Sequence, residues 1–318
     1  MGEFELIERF FKRPARRNAL GVGDDCALLS PAPGMQLAVS SDMLVEGRHF
    51  LSTVDAFKLG HKALAVNLSD LAACGAKPLA FTLALAMPRV DESWLEGFAK
   101  GLFALADEHG CELVGGDTTR GPLNICITIF GEVPQGQALL RSGARAGDDL
   151  YVSGTLGDAR LALEVLRGTV SLPAELIEAA RARLEQPAPR VALGTALRGI
   201  ASSAIDVSDG LLGDLGHILG QSQVGAAIDT AVASGLMQAG PALDAERTLE
   251  YVLSGGDDYE LAFTAPVSAR DAVGKAAQQA RTPVTRIGRI EGQTGLRLLD
   301  AQGQPIAKRY ASFDHFAG

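Results

Sequence analysis

Apolar residues recur along this chain with two different spacings, and both spacings appear in each half. Spacings of three and four residues predict amphipathic helices, which we place at residues 3–11, 55–74, 91–109, 173–185, 190–199 and 211–219, with a further helix after the turn at 154–158. Short apolar runs bounded by glycine or polar residues predict buried strands, which we place at 26–29, 35–40, 79–87, 112–114, 124–133, 149–153, 203–205, 259–264, 284–290 and 295–299. Strands and helices alternate twice, which indicates an α/β (α+β) chain with two units.

The alternation is interrupted once, near the middle of the chain. Gln135-Gly136-Gln137 breaks the apolar pattern, and a polar, glycine-containing stretch continues to Asp149. A chain of 318 residues is also long for a single hydrophobic core. We therefore expect an N-terminal domain at residues 1–138 and a C-terminal domain at residues 139–318.

Aspartates cluster beside glycine or serine at five places, mostly just after a predicted strand. The clusters are Gly23-Asp24-Asp25, Ser41-Asp42, Gly116-Asp117, Asp206-Val207-Ser208-Asp209-Gly210 and Gly255-Gly256-Asp257-Asp258. A sixth acid, Asp70, shares a predicted helix face with Asn67. Each cluster alone is also an ordinary turn former. Together they predict a site for magnesium and phosphate, because Mg²⁺ takes carboxylate, water and phosphate oxygens.

Composition narrows the class of partner. The formal net charge of −9 makes nucleic acid and anionic membranes poor partners. No apolar run approaches the roughly 18 residues of a membrane span, and the acidic N-terminus lacks the apolar segment of a signal peptide. The four cysteines form no C-x-x-C pair, which argues against a zinc site. These features lead us to expect a cytoplasmic protein that binds no membrane.

Familiar nucleotide and hydrolase motifs are missing. The sequence has no G-x-x-x-x-G-K-[ST] loop, no G-x-G-x-x-G after a strand, no protein-kinase triplets, no H-E-x-x-H and no G-x-S-x-G. If the chain binds ATP, it does so without a Walker loop. Bound divalent metal would then have to screen the phosphate charge of the nucleotide.

Seven segments, taken in order, resemble the thiamine-monophosphate kinase family. They lie at residues 21–27, 41–50, 67–78, 115–118, 141–144, 206–211 and 256–261. The resemblance implies a two-domain ATP-binding fold shared with aminoimidazole-ribonucleotide synthetase and selenophosphate synthetase. It also implies an N-terminal sheet domain that forms a homodimer. The implied reaction transfers the γ-phosphate of ATP to thiamine monophosphate, the last step in making thiamine diphosphate.

The same resemblance assigns roles to individual residues. The implied ligands of several Mg²⁺ ions are Asp25, Ser40, Ser41, Asp42, Asp70, Asp117, Asp206 and Asp209. The implied contacts to ATP, the co-substrate, are Gly116, Asp117, Arg141 and Ser208. The implied contacts to thiamine monophosphate are His49, Glu260 and Phe313. An acid and an aromatic face suit a cationic thiazolium ring, which agrees with the last assignment.

No general base is expected, because the accepting phosphate oxygen is already mostly ionised at pH 7.

Three alternatives remain open at this point. A selenophosphate synthetase would have a reactive cysteine with lysine in its N-terminal loop. A hydrogenase-maturation protein would end in a cysteine, whereas this chain ends Phe316-Ala317-Gly318. A metal-dependent binding protein without activity is the third.

Overall fold

The structure is a computed structural model that describes residues 2–14, 16, 20–22, 26–307 and 310. Two compact units make up the chain. The first contains Met1–Leu71 and Ala76–Gly136, and the second contains Ala72–Gly75 and Gln137–Gly318. Within the described ranges, no helix is both long enough and apolar enough to cross a bilayer.

The first unit is a four-stranded sheet with helices. Its elements are α1 Glu3–Leu6, a π-helical turn at Ile7–Phe11, β1 Met35–Val45, α2 Ala56–Ala73, β2 Lys77–Met87, α3 Glu92–His109, β3 Glu112–Arg120 and β4 Asn124–Pro134. The strand order is β1-β4-β2-β3. Strands β1 and β3 stand at the two ends of this order and are therefore the edges of the sheet. Only the β2–β3 pair is parallel.

The two faces of this sheet differ in burial. Ile125, Ile127 and Ile129 of β4 are buried, whereas the residues that alternate with them are half-buried. Helix α2 lies against the buried face, where the backbone of Gly131 approaches the Leu71 side chain. The other face keeps large apolar side chains of β1 exposed. One face of the sheet is therefore core, and the other is apolar but uncovered in the single chain.

Helices α2 and α3 meet at glycines. A Cβ atom on Gly60 would lie 2.0 Å from the carbonyl oxygen of Phe98, and one on Gly101 would lie 1.8 Å from that of Phe57. Real side chains do not approach backbone oxygen so closely. Glycine is therefore required at both positions for the two helices to pack.

The second unit contains a six-stranded sheet. Its elements are β5 Asp149–Ser153, α4 Asp158–Leu166, α5 Ala174–Glu185, α6 Val191–Ala196, β6 Ser203–Val207, α7 Leu211–Ser222, β7 Gly225–Asp229, α8 Thr230–Ser234, α9 Ala245–Ser254, β8 Glu260–Ala265, α10 Arg270–Ala280, β9 Val284–Glu291 and β10 Gly295–Leu299. The strand order is β10-β7-β9-β5-β8-β6. Every residue of β5, β6 and β8 is buried, which requires cover on both faces.

The mixed helix and sheet architecture predicted from the sequence is confirmed, but several strands are longer than predicted. Strand β1 continues through Ser41-Asp42, β3 continues through Gly116-Asp117, and β6 includes Asp206. These acids were expected in loops after the strands. Polar side chains are tolerated there because backbone hydrogen bonds hold the ladder, and β1 and β3 are edge strands with one side open.

Two other predictions differ from the structure. The strand predicted at 26–29 is reduced to an isolated bridge between Leu20 and Leu28. Strand β7 and helices α8, α9 and α10 had no counterpart in the prediction. Strand β7 begins Gly225-Ala226-Ala227, and such small residues have weak strand preference, so only pairing within the sheet reveals it.

Candidate functional site

The first group of acids lies between β1 and α2. Ser40 and Asp42 are two residues apart on β1 and therefore point to the same face. Ser40 Oγ donates a hydrogen bond to Asp70 Oδ2, and Asp42 N donates to Asn67 Oδ1 at 3.2 Å. Asn67 is buried and donates from Nδ2 to the carbonyl oxygen of Ala63 at 3.1 Å. The structure thus joins Ser40 to Asp70 and holds the backbone of Asp42 to Asn67 of the same helix.

Ser41 lies on the opposite face of the sheet from this group. Its Oγ is 3.0 Å from Thr128 Oγ1 and donates to the carbonyl oxygen of Ile127 at 3.2 Å. The hydroxyl is therefore directed across the β1–β4 ladder and away from Asp70. The role of Ser41 as a metal ligand stays a prediction.

Gly116 and Asp117 lie at the far edge of the same sheet. The register runs from Asp42 through Ile127 and Leu83 to Gly116, and Asp117 follows one residue later. Three strand spacings of about 4.8 Å separate the two edges, or about 14 Å in all. A magnesium ion holds its ligands at about 2.1 Å. Asp42 and Asp117 of one chain are therefore too far apart to share an ion.

The backbone at Gly116 explains why glycine precedes Asp117. Its φ angle is +150°, and a Cβ atom there would lie 1.9 Å from the carbonyl oxygen of Leu83. Only glycine fits this conformation and this approach. Asp117 itself is exposed, as a ligand-binding side chain would be.

His49 closes the turn that follows β1. The ring Nδ1 of His49 accepts a hydrogen bond from the backbone N–H of Val45 at 3.0 Å. The backbone N–H of His49 donates to the Val45 carbonyl oxygen at 3.0 Å. These bonds fix the position of the half-buried ring beside the strand that carries Asp42. Its contact with a substrate stays a prediction.

The second group of acids lies where β6 leads into α7. Asp206 is in β6, and Ser208 and Asp209 form the loop that Gly210 ends. Asp214 holds this loop, since its Oδ2 accepts the backbone N–H groups of Ser208, Asp209 and Gly210 at 3.0, 3.1 and 3.1 Å. Burial, with the nearby Asp209 carboxylate, raises the pKa of Asp214 to about 7. Asp214 is not among the residues predicted from the sequence; the signal that could have found it is an acid in the first turn of a helix.

A second loop packs against the first. The N–H groups of Asp257 and Tyr259 donate to the carbonyls of Ser208 and Val207, at 2.9 and 2.8 Å. Asp257 and Tyr259 have φ angles of 66° and 51°, which are uncommon for residues other than glycine. Such strain persists where the surroundings impose it and often marks a functional loop. Asp257, considered only a turn former in the sequence, is half-buried beside Ser208.

Glu260, predicted to contact the substrate, is instead part of the core. Its side chain is 0% exposed. Oε1 accepts from Arg183 Nη2 at 2.7 Å, and Oε2 accepts from Arg190 Nε and Ser153 Oγ, both at 2.6 Å. Glu260 is buried because β8 is covered on both faces. Both carboxylate oxygens are occupied by protein groups.

The remaining predicted residues are not drawn together. Arg141 is exposed, and its carbonyl oxygen accepts a hydrogen bond from Ser222 Oγ at 3.3 Å. Asp25 and Phe313 lie outside the described residues. Among the residues that are described, no three acidic, histidine or cysteine side chains converge to hold a metal ion. The acids stand in small groups completed by hydroxyl and amide oxygens.

Comparison with known proteins supplies the family. Residues 23–133 match the family described as AIR synthase related protein, N-terminal domain, and residues 145–300 match its C-terminal domain. Thiamine-monophosphate kinase of Escherichia coli (strain K12) is 46% identical over 324 residues, which cover 99% of this chain and 98% of that protein.

Solved structures agree with this match. The crystal structure of thiamine-monophosphate kinase from Stenotrophomonas maltophilia K279a has a TM-score of 0.84 at 46% identity, covering 93% of this chain and 94% of that one. AaThiL complexed with AMPPCP and TMP has a TM-score of 0.77 at 30% identity, covering 93% and 92%. The chain therefore belongs to the thiamine-monophosphate kinase family of AIR synthase related proteins.

Proposed function

We propose that this enzyme transfers the γ-phosphate of ATP to thiamine monophosphate, yielding ADP and thiamine diphosphate. The observation that carries the proposal is full-length identity of 46% to a thiamine-monophosphate kinase. The related AaThiL is complexed with AMPPCP, an ATP analogue, and TMP, which is the substrate pair that this reaction needs. The hydrogenase-maturation protein HypE in complex with ATP is only 21% identical, so that likeness supports the shared fold and not the alternative reaction.

We propose that the two acid groups bind Mg²⁺ together with the nucleotide phosphates. The donors fit this ion, because Asp42, Asp70 and Ser40 offer hard oxygens, as do Asp206 and Asp209. Magnesium usually takes one or two carboxylates and completes its shell with water and phosphate, so small groups of acids suffice. Bound Mg²⁺ would neutralise phosphate charge and align the reacting oxygens. Asp25, outside the described residues, stays in the proposed ligand set.

The transfer itself is proposed to be direct. The acceptor is a phosphate oxygen that is mostly ionised at pH 7, so no side chain has to remove a proton. The obstacle is repulsion between two anions, and positive charge placed in advance lowers it. Arg141, which is exposed, is the proposed cationic contact to the nucleotide, with Ser208 and Gly116 as polar contacts.

For the thiazolium ring we propose a changed set of contacts. His49 and Phe313 remain in it. Glu260 is replaced by Asp257, because the carboxylate of Glu260 is enclosed by Arg183 and Arg190. Asp257 is half-buried on a strained loop against Ser208, so an acid is kept beside a proposed nucleotide contact.

We also propose a homodimer formed through the open face of the first sheet. Leu37, Val39 and Met43 of β1 are 42%, 57% and 53% exposed on that face, and half-buried Phe130 of β4 pairs with Val39. Contiguous exposed apolar residues mark interaction sites.

The dimer predicts the outcome of sedimentation. At micromolar concentration the protein is expected to sediment at twice the 33.2 kDa chain mass. Val39→Asp, which places a charge in the apolar face, is expected to give the monomer. Val267→Asp is the matched control, because Val267 belongs to the second unit and not to that sheet, and is 50% exposed. A wild-type protein that sediments as a 33.2 kDa monomer would contradict the proposal.

Cytoplasmic location is proposed on the cysteines. The four cysteines, all in the described part of the chain, form no disulfide there, as is usual in a reducing compartment.

A turnover assay tests the function directly. The purified protein with ATP, Mg²⁺ and thiamine monophosphate is expected to form ADP and thiamine diphosphate in equal amounts. With a chiral γ-phosphate, direct transfer inverts the configuration at phosphorus. Retention, or a phosphorylated protein formed from ATP alone, would show a covalent intermediate. Absence of thiamine diphosphate from an otherwise folded enzyme would refute the function.

A further inference from the structure

The loop of residues 208–210 is held by a carboxylate that the proposed reaction does not itself use. Asp214 is 4% exposed in the first turn of α7. A single oxygen, Oδ2, accepts three consecutive backbone N–H groups. An ordinary helix cap accepts one or two. The carboxylate therefore immobilises the backbone of the residues proposed to contact the nucleotide and metal.

The opposite side of the loop is also closed. The carbonyls of Val207 and Ser208 accept hydrogen bonds from the Tyr259 and Asp257 amides. A Cβ atom on Gly256 would lie 2.5 Å from the Ser208 carbonyl oxygen, and one on Gly210 would lie 2.9 Å from the Ser254 backbone. The loop of residues 208–210 is thus fixed by Asp214 on its amide side and by the loop that contains Asp257 and Tyr259 on its carbonyl side.

Three successive N–H groups that point to one place form a concave site that attracts anions. In this loop two of the amides belong to Ser208, a proposed nucleotide contact, and Asp209, a proposed metal ligand. Without a hydrogen-bond acceptor, these three amides would compete with the metal ion for a phosphate oxygen or a neighbouring carboxylate. A carboxylate from the same chain prevents this competition and leaves the Ser208 hydroxyl and the Asp209 carboxylate available.

We infer that Asp214 is a positioning residue for the phosphoryl transfer: it fills the amide site formed by Ser208, Asp209 and Gly210 and so orients the side chains of Ser208 and Asp209 toward nucleotide and metal. This inference rests on the proposed function, in which Ser208 and Asp209 have those roles. It assigns Asp214 no contact with either substrate.

The test compares Asp214→Ala and Asp214→Asn with Asp229→Ala. Asp229 is the matched control, because it also caps a helix of the second unit, accepting the amides of Ala231 and Val232 at 3.0 and 3.1 Å. Four quantities are measured for each variant. They are hydrogen exchange of the peptide spanning 206–212, Mn²⁺ binding in the presence of AMPPCP, and kcat and KM with and without added formate.

Asp214→Ala is expected to lower Mn²⁺ affinity and kcat about 10–100-fold, the usual loss for residues that orient metal ligands. Exchange in the 206–212 peptide should rise together with that loss. Formate, a small carboxylate, is expected to slow the exchange and recover part of kcat. Asp214→Asn, which keeps an acceptor oxygen, should fall between wild type and Asp214→Ala. Asp229→Ala should change melting temperature only.

Unchanged exchange and Mn²⁺ affinity in Asp214→Ala would overturn the inference, as would equal losses in Asp229→Ala or a complete lack of response to formate. If Asp214→Ala does not fold, Asp214→Asn decides by the same measurements. Exchange and Mn²⁺ binding do not depend on which phosphate is accepted. A wild-type enzyme inactive on thiamine monophosphate would therefore refute the proposed function while these two measurements still judge Asp214.

Discussion

Asp42→Asn, Asp70→Asn and Asp206→Asn are each expected to lower kcat by at least about 10²–10³-fold, the range for losing one charge-stabilising group at a reacting centre. Each substitution keeps the size of the side chain but removes one negative oxygen. Asn retains a hydrogen-bond acceptor, so Ser40 can still donate at position 70. The fold should therefore survive while magnesium affinity falls.

The measurement is turnover over a range of Mg²⁺ concentrations, with Mn²⁺ binding as a readout that needs no turnover. Asp55→Asn is the control in the first unit, because Asp55 accepts the amides of Phe57 and Lys58 at the start of α2 and has no proposed site role. Its activity should match wild type. Near-normal kcat in all three site variants would remove the acids from the mechanism.

Glu260→Gln is expected to destabilise the protein by about 3–5 kcal/mol, the usual cost of breaking a buried ion pair by changing one partner. The substitution would leave Arg183 and Arg190 without their carboxylate at a position that is 0% exposed. A buried cation that loses its partner keeps its desolvation cost. We therefore expect the main effect on the free energy of unfolding rather than on substrate affinity.

Urea unfolding measures this change, and Asp257→Asn provides the contrast. Asp257 lies half-buried in the next loop, so its substitution should alter stability little, by about 0.5 kcal/mol or less. Its KM for thiamine monophosphate should rise, with ATP affinity nearly unchanged. The opposite pattern, a stable Glu260→Gln enzyme with raised KM and an unaffected Asp257→Asn enzyme, would return the substrate contact to Glu260.

The sequence was sufficient for the family, the mixed helix and sheet architecture and most element positions. Helix α3 illustrates why: apolar residues repeat at helical spacing, Asp91 caps its start and Gly110 ends it in a left-handed conformation. These signals are local, so they need no knowledge of distant residues. The motifs likewise depend on residue type in order, which the chain displays directly.

Pairing between distant segments decided where the site residues lie. Ser40 and Ser41 are adjacent in sequence, but the pleat of β1 directs one to Asp70 and the other to Thr128. Strand order placed Asp42 and Asp117 at opposite edges of one sheet. Register and strand order arise from long-range hydrogen bonds, which local spacing does not specify.

Burial was the other property that tertiary structure decided. Glu260 and Asp257 are three residues apart in one acidic motif, yet the first is enclosed by two arginines and the second lies in a half-buried loop. Asp214 became significant only when the fold placed its carboxylate on three amides. The sequence alone thus identified the chemistry that the acids can perform. Whether an acidic side chain can bind a ligand or is paired inside the core depended on packing by residues far along the chain. Burial and nearby charges set the ionisation and the partners of a carboxylate.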